Sequence, residues 1–324
     1  MQALIIDKTP DYEVSVKQVD PSELPDNDVL VDVEYSTLNY KDGLAITNAS
    51  PIIRNFPMAP GIDFAGTVVE SKDDRFSKGD KVVLNGWGVG ERYWGGLSQQ
   101  VKVKADWLIP LPETMSTWDA MAIGTAGYTA MLCVNALENN GVLPESGPIL
   151  VTGATGGVGS IAVVLLAQKG YQVTASTGKE KDHATLKEMG ASEVISRDEI
   201  SSPGKPLQKE HWAGVVDVAG SHTLANACAA TKYGGVVAAC GLAQGMDFPA
   251  SVAPFILRGV TLVGVDSVYQ PYERRMQAWQ ALSDANITDF LKKNTQEIEL
   301  EDCPEYAKQL IDGKISGRLV VKVG

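Results

Sequence analysis

The segment VTGATGGVGS, Val151 to Ser160, places four glycines between a short apolar run and a longer one, SIAVVLLAQKG. Runs of these lengths predict a strand and then a helix, so the glycines form the turn between them. Unpaired backbone N–H groups and the helix dipole favour a phosphate at such a turn. The spacing is G-x-x-G-G-x-G rather than the commoner G-x-G-x-x-G. We expect a dinucleotide pyrophosphate here, bound by Thr155, Gly156, Gly157 and Val158.

The next predicted strand, YQVTAST, ends where NAD-binding proteins carry an acidic residue for the ribose. Here the chain reads Ser176, Thr177, Gly178 and Lys179. Hydroxyls and an ammonium group suit a 2′-phosphate, whereas a carboxylate would repel it. Arg197, just after the third strand EVIS, is a second cation that could reach this side. Lys179 or Arg197 alone could be an ordinary solvated charge, but with the acid missing they predict NADPH.

These turns need a parallel sheet, and the chain supplies the elements for one. From about Trp118, helical patterns alternate with short apolar strands and end at VTLVGV, which predicts an α/β domain with a doubly wound parallel sheet. Before it, short β-branched runs broken by Gly, Pro and Asp predict a β-rich domain. The closing strand, GRLVVKV, needs a sheet to join. We therefore predict a discontinuous β-rich domain, residues 1–123 and 268–324, around a dinucleotide-binding domain, residues 124–267.

The composition of the chain limits the classes of partner that it could bind. The net charge of −12 argues against nucleic acid or an anionic membrane, because affinity for polyanions comes from basic patches. No signal-peptide pattern is present, and no stretch approaches the ~20 apolar residues of a membrane span, so we expect a soluble cytoplasmic protein. Four cysteines without CxxC spacing fit reduced thiols. Three histidines lie without ligand-spaced neighbours.

The segments PGIDFAG and GDKV, with the glycine turn, resemble the medium-chain dehydrogenase/reductase superfamily over essentially the whole chain. This resemblance implies a GroES-like catalytic domain and a Rossmann domain that binds NADPH. The segments STLNYKD, IIRNFPMAPGIDFAGTVV, GWGVGERYWGGLSQ and STGK closely resemble its acryloyl-CoA reductase branch, whose members are often labelled quinone oxidoreductases.

The resemblance also implies that no catalytic zinc is present. Zinc-dependent members have a cysteine near YSTLN and a histidine within PGID, where this chain offers Ser36, Thr37, Asn39 and Asp63. Cysteines of a structural zinc lobe are likewise missing between Val83 and Trp107. Without a metal, reduction of a carbonyl is difficult because no strong electrophile stabilises the alkoxide that forms. Reducing a C=C bond conjugated to a carbonyl is easier, because hydrogen-bond donors can hold the resulting enolate.

The family places the YSTLNYKD loop near the nicotinamide. Asn39 and Tyr40 are therefore the expected orienting donors, with Asp42 supporting their geometry. Tyr40 could instead pack on the cofactor. The resemblance further places Tyr128, Leu242 and Ser267 along the cofactor cleft. It also suggests Arg54 for the phosphates of CoA, although Arg54 could be a plain surface charge.

These observations predict an NADPH-dependent reductase of a short α,β-unsaturated acyl-CoA, such as acryloyl-CoA. An NADPH:quinone oxidoreductase and a non-catalytic nucleotide-binding protein of the same fold are the alternatives. As the last strand of the sheet, VTLVGV would leave an apolar edge unpaired, so we expect a homodimer joined through it. Coverage of that edge by the C-terminal helices is the alternative.

Overall fold

A computed structural model describes residues 1–8 and 10–324 of the chain. It divides into two compact units. The β-rich unit comprises Met1–Thr125 and Ser267–Gly324, and the parallel-sheet unit comprises Ala126–Asp266.

The β-rich unit is built on a mixed sheet. Its strands are β1 (Gln2–Asp7), β2 (Glu13–Gln18), β3 (Val29–Thr37), β4 (Asp63–Ser71), β5 (Lys81–Asn85), β6 (Gln100–Val103), β7 (Ile109–Pro110), β14 (Thr295–Glu299) and β15 (Arg318–Lys322). Seven of them form one sheet in the order β14-β15-β3-β4-β5-β7, with β6 also paired to β3, while β1 and β2 pair separately. Residues Val29, Val31 and Val33 alternate along β3 and are buried in the core of this unit. The closing strand β15 pairs with β3, which confirms the prediction that it joins the N-terminal sheet.

In the β-rich unit, one short helix packs closely against another helix. The helices of this unit are α1 (Tyr40–Ile46), α7 (Tyr272–Ala285), α8 (Thr288–Asn294) and α9 (Cys303–Ile311). A Cβ placed on Gly43 would lie 3.1 Å from Cδ1 of Ile311, so α1 and α9 pack closely where a larger residue would push them apart. This contact fixes α1, which begins at Tyr40.

The parallel-sheet unit contains β8 (Ile149–Val151), β9 (Val173–Thr177), β10 (Glu193–Ser196), β11 (Trp212–Asp217), β12 (Thr231–Ala239) and β13 (Thr261–Gly264). Its helices are α3 (Gly157–Gln168), α4 (His183–Glu188), α5 (Ser221–Ala230) and α6 (Ala253–Arg258). All strand pairs are parallel, in the order β10-β9-β8-β11-β12-β13. That is the 3-2-1-4-5-6 order of the Rossmann fold, and it confirms the predicted fold class.

The helix α2 (Thr117–Asn139) carries the chain from one unit into the other. It kinks at Gly124, whose φ of 52° and ψ of −164° are not helical. By length and composition this helix could cross a membrane, so the sequence expectation that no stretch approached such a span is wrong. Most of its apolar window is buried within the protein, which is typical of a core helix.

Candidate active site

The glycine-rich turn has the predicted position, between β8 and α3. Gly153 lies in the left-handed region with φ of 56°. A Cβ on Gly159 would lie 2.4 Å from the carbonyl oxygen of Gly153, so the first turn of α3 packs on the turn as only glycine permits. Thr155 directs its hydroxyl to within 3.3 Å of the Thr177 hydroxyl at the end of β9. The turn and the end of the neighbouring strand therefore face one ligand position, at the first turn of α3, whose backbone N–H groups have no acceptor within the helix.

The end of β9 brings the predicted 2′-phosphate residues together. Ser176 and Thr177 are buried, and the Ser176 hydroxyl has no hydrogen-bond partner among the described residues. Because β10 runs parallel to β9 and pairs Ser196 with Thr177, Arg197 lies beside Gly178. A Cβ on Gly178 would be only 2.5 Å from Nε of Arg197. Hydroxyls and a guanidinium group thus surround a strand end without a carboxylate, which fits a phosphate monoester.

Three further predicted cofactor residues lie in different settings. Leu242 follows β12 in a loop of the parallel-sheet unit and is 58% exposed. Ser267 is half-buried in the β-rich unit, where its carbonyl accepts a hydrogen bond of 3.4 Å from Arg275. Tyr128, within α2, is fully buried. Its ring therefore presents no surface to a ligand in this structure.

In the β-rich unit, a buried carboxylate organises the predicted catalytic loop. Asp42 accepts hydrogen bonds from the backbone N–H groups of Asn39 (2.9 Å), Gly61 (3.1 Å) and Ile62 (3.1 Å). Tyr40, the first residue of α1, is 54% exposed, and its hydroxyl has no partner among residues 1–8 and 10–324. Asp42 therefore fixes the start of α1 and leaves the Tyr40 phenol accessible.

Asn39 is held at both ends of its side-chain amide. Its Nδ2 lies 3.2 Å from each carboxylate oxygen of Asp63, and its Oδ1 accepts a hydrogen bond of 3.3 Å from Arg318. Only 8% of Asn39 is exposed. The structure thus favours a positioning role for Asn39 over that of a free donor, and leaves Tyr40 as the accessible donor of the pair.

Asp63 and Arg318 complete a buried polar network that the sequence prediction did not include as site residues. Asp63 also accepts the backbone N–H of Thr125 at 2.6 Å. Arg318 donates to Thr37 Oγ1 at 2.8 Å and to the Ala122 carbonyl at 3.1 Å. A charged residue in each of two apolar strand segments, PGIDFAG and GRLVVKV, was the available signal, because such residues are rarely buried without a partner.

Burial shifts the pKa values of the ionisable side chains in this network. It raises the pKa of Asp42 to about 7, helped by the nearby charge of Asp63 and opposed by the hydrogen bonds from Asn39 and Ile62. Burial also raises the pKa of Asp63, while Arg318 and the Thr125 hydrogen bonds act against that rise. The pKa of Arg318 is lowered by burial, against the attraction of the two carboxylates. The network thus holds two carboxyl groups and one guanidinium beside Asn39.

The residues of this network do not fit a zinc ion. Within residues 1–8 and 10–324, no group of three or more His, Cys, Asp or Glu could hold a metal. Asp42 and Asp63 already accept several N–H donors each, and Arg318 places a fixed cation beside them. Burial raises the pKa of the Cys303 thiol in the same unit, which disfavours the thiolate that zinc requires.

Two family models match the chain. Residues 25–113 match the alcohol dehydrogenase GroES-like domain, and residues 157–284 match the model described as zinc-binding dehydrogenase. Together with the fold and the site, these matches define a dehydrogenase/reductase with a dinucleotide-binding domain.

Full-length relatives are more specific. The chain is 54% identical to "Probable acrylyl-CoA reductase AcuI" of Escherichia coli K12, covering 100% of both chains. It is 50% identical to "Acrylyl-CoA reductase AcuI" of Ruegeria pomeroyi, covering 99% of this chain and 98% of that one. The crystal structure of Escherichia coli K12 YhdH with bound NADPH superposes with a TM-score of 0.97, at 53% identity and 100% coverage of both chains. The chain therefore belongs to the medium-chain dehydrogenase/reductase superfamily and, within it, to the family of the acrylyl-CoA reductases AcuI.

Proposed function

We propose that this protein is an NADPH-dependent reductase of the C=C bond of a short α,β-unsaturated acyl-CoA, with acrylyl-CoA as substrate and propanoyl-CoA as product. The observation that carries the proposal is the full-length identity of 50–54% to proteins named acrylyl-CoA reductase. The β-rich unit would then act as the catalytic domain and the parallel-sheet unit as the NADPH-binding domain.

The cofactor is proposed from the strand end and the glycine turn. Bound NADPH would supply the hydride. The residues that would hold it are those of the turn and of the β9 end, with Leu242 after β12, namely Thr155, Gly156, Gly157, Val158, Ser176, Thr177, Gly178, Lys179, Arg197 and Leu242. Tyr40 and Ser267 of the β-rich unit join this set by family resemblance. We assign Tyr128 to packing because it is fully buried.

The proposed work of the β-rich unit is to stabilise charge on the thioester oxygen. Addition of hydride at the β carbon leaves an enolate whose negative charge collects on that oxygen. The accessible Tyr40 hydroxyl would donate a hydrogen bond to it, while Asn39 and Asp42 hold the start of α1 in place. A proton then reaches the α carbon from water or a side chain. A neutral hydroxyl donor can stabilise an enolate oxygen, which is less basic than the alkoxide that reduction of a carbonyl would form.

The proposal is tested by measuring NADPH oxidation in parallel with acrylyl-CoA, crotonyl-CoA and a benzoquinone. A kcat/KM for acrylyl-CoA well above the other two supports it. Efficient turnover of the quinone with little turnover of either thioester would favour the quinone oxidoreductase alternative. No turnover of any of the three would favour a non-catalytic nucleotide-binding protein.

We also propose that the protein is a cytoplasmic homodimer joined through β13. Among the described residues, β13 pairs with a strand on one side only, through β12. Shortly before β13 in the chain, Val252 and the α6 residues Ile256 and Leu257 are each more than 60% accessible. An unpaired edge beside exposed apolar side chains favours pairing with a second copy.

The proposed cytoplasmic location is supported by the cysteines. The four free cysteines, three of them buried, suit a reducing compartment.

A further inference from the structure

Two surface segments of the β-rich unit lie side by side and present arginines. The backbone N–H of Arg54 donates to the Glu91 carbonyl at 2.9 Å, and Nδ2 of Asn55 donates to the Arg92 carbonyl at 3.4 Å. Arg54 and Arg92 are both exposed. Neither forms an ion pair within 4.0 Å among the described residues, although the chain carries a net charge of −12. These guanidinium groups are therefore available to an external anion.

This edge is connected to the proposed catalytic loop. Lys41, the residue after Tyr40, forms an ion pair of 2.9 Å with Glu91, and Glu91 accepts the backbone N–H of Arg54. The arginine segments and the start of α1 are thus joined by two consecutive contacts. A long ligand whose reacting end lies at Tyr40 can extend its other end along this edge.

An aromatic platform accompanies the arginines. Tyr93, next to Arg92, is 41% exposed, and its ring centroid lies 4.8 Å from that of Trp107. Trp107 stacks on Trp87 at 6.4 Å with an interplanar angle of 11°, and the Arg275 guanidinium lies 4.6 Å from the Trp87 ring centroid. The Tyr93 ring is therefore supported from beneath by packed rings, while much of its own surface is open for stacking.

We propose that Arg54, Arg92 and Tyr93 form the subsite for the phosphorylated adenosine end of a CoA thioester. The guanidinium groups bind its phosphates, and the Tyr93 ring stacks on the adenine. The inference rests on the proposed function, because only an acyl-CoA carries both a reducible acyl group and a phosphorylated adenosine at the far end of a long arm. It assigns to this surface the part of the substrate that does not react.

The test compares two substrates with the same reacting group. Acrylyl-CoA carries the phosphorylated adenosine, and acrylyl-pantetheine lacks it. In the double variant Arg54→Gln/Arg92→Gln, the KM for acrylyl-CoA should rise about tenfold or more, since hydrogen bonds to charged groups are lost. The kcat, and the KM for acrylyl-pantetheine, should stay as in the wild type. Arg274→Gln removes one charge from an exposed residue of α7 and is the matched control, expected to leave both KM values unchanged.

A binding measurement separates this subsite from the reaction. Adenosine 3′,5′-bisphosphate is titrated by calorimetry into protein saturated with NADPH, so that the cofactor's own adenosine site is filled. Binding to the wild type that is lost in the double variant and in Tyr93→Ala, but kept in Arg274→Gln, supports the subsite even if no thioester is reduced. The subsite is overturned if the double variant changes neither the KM for acrylyl-CoA nor bisphosphate binding. It is also overturned if the wild type uses both thioesters with equal kcat/KM, an outcome that leaves the proposed reductase function intact.

Discussion

Arg197 should decide how strongly the protein prefers NADPH to NADH. Its guanidinium lies against Gly178 at the end of β9, and that strand ends in the hydroxyls of Ser176 and Thr177 with no carboxylate. Its Nε also lies 3.9 Å from Oδ1 of the exposed Asp198, at the outer limit of an ion pair. In Arg197→Gln the charge is removed, while a shorter polar side chain remains. The perturbation should therefore act on the 2′-phosphate, which NADPH has and NADH lacks.

The exposure of Arg197 limits the expected magnitude. A hydrogen bond to a charged group contributes about 1.5–3 kcal/mol, but exposed ion pairs contribute only about 0.2–1 kcal/mol. The Arg197 side chain is 70% exposed, so we expect an intermediate loss. A loss of about 1.4 kcal/mol corresponds to a tenfold rise in the dissociation constant.

The assay is fluorescence titration of both nucleotides into the wild type, Arg197→Gln and Lys209→Gln. Lys209 is an exposed cation of the same unit without an ion pair among the described residues, so its variant controls for net charge. NADPH binding should weaken about tenfold in Arg197→Gln alone, and NADH binding should not change. Equal weakening of both nucleotides, or the same weakening in Lys209→Gln, would refute the assignment of Arg197 to the 2′-phosphate.

Three other predictions concern the catalytic loop, the buried carboxylate and the sheet edge. Tyr40→Phe should lower kcat for acrylyl-CoA at least about tenfold with little change in NADPH affinity, because the hydroxyl stabilises the negative charge that develops in the transition state. An unchanged kcat in steady-state kinetics would indicate that Tyr40 only packs on the cofactor. Burial raises the pKa of Asp42 to about 7, so its contribution to the free energy of unfolding is fully present below pH ~4 and is lost as the pH rises through ~7. In urea unfolding at several pH values, the free energy of unfolding of the wild type should therefore fall relative to that of Asp42→Asn, by at most about 1.4 kcal/mol per pH unit in that window. Parallel pH profiles for the two proteins would contradict this role of Asp42. Val263→Lys places a charge in β13 and should shift sedimentation from twice the chain mass of 34.6 kDa to that mass, whereas a wild type already monomeric at micromolar concentration would rule out the dimer.

Local patterns predicted the parallel sheet and the glycine turn because their signals are short-range. The strand, turn and helix around Gly153 follow one another in the chain, and the alternation of strands and helices determines how such units associate. Arg197 could be placed beside Gly178 for a similar reason, since parallel neighbours in this fold end at the same edge of the sheet.

The network around Asn39 was less accessible to sequence reasoning. Arg318 lies in the closing strand and reaches Asn39 because β15 pairs with β3, whose end leads into the loop. The sequence predicted that the closing strand joins this sheet, but not the register that places its first residue beside Asn39. The left-handed kink at Gly124, where a Cβ would lie 2.5 Å from Nη2 of Arg318, is another requirement visible only in three dimensions.

In the proposed reaction, hydride passes from NADPH to the β carbon of an α,β-unsaturated thioester. The most direct measurement uses NADPH deuterated at C4 of the nicotinamide, with acrylyl-CoA as substrate, and locates the label in the product by mass spectrometry and NMR. We predict propanoyl-CoA with one deuterium at C3, and one solvent-derived hydrogen at C2. Absence of propanoyl-CoA, or a product whose C3 carries no label from either C4 position of the cofactor, would contradict the account.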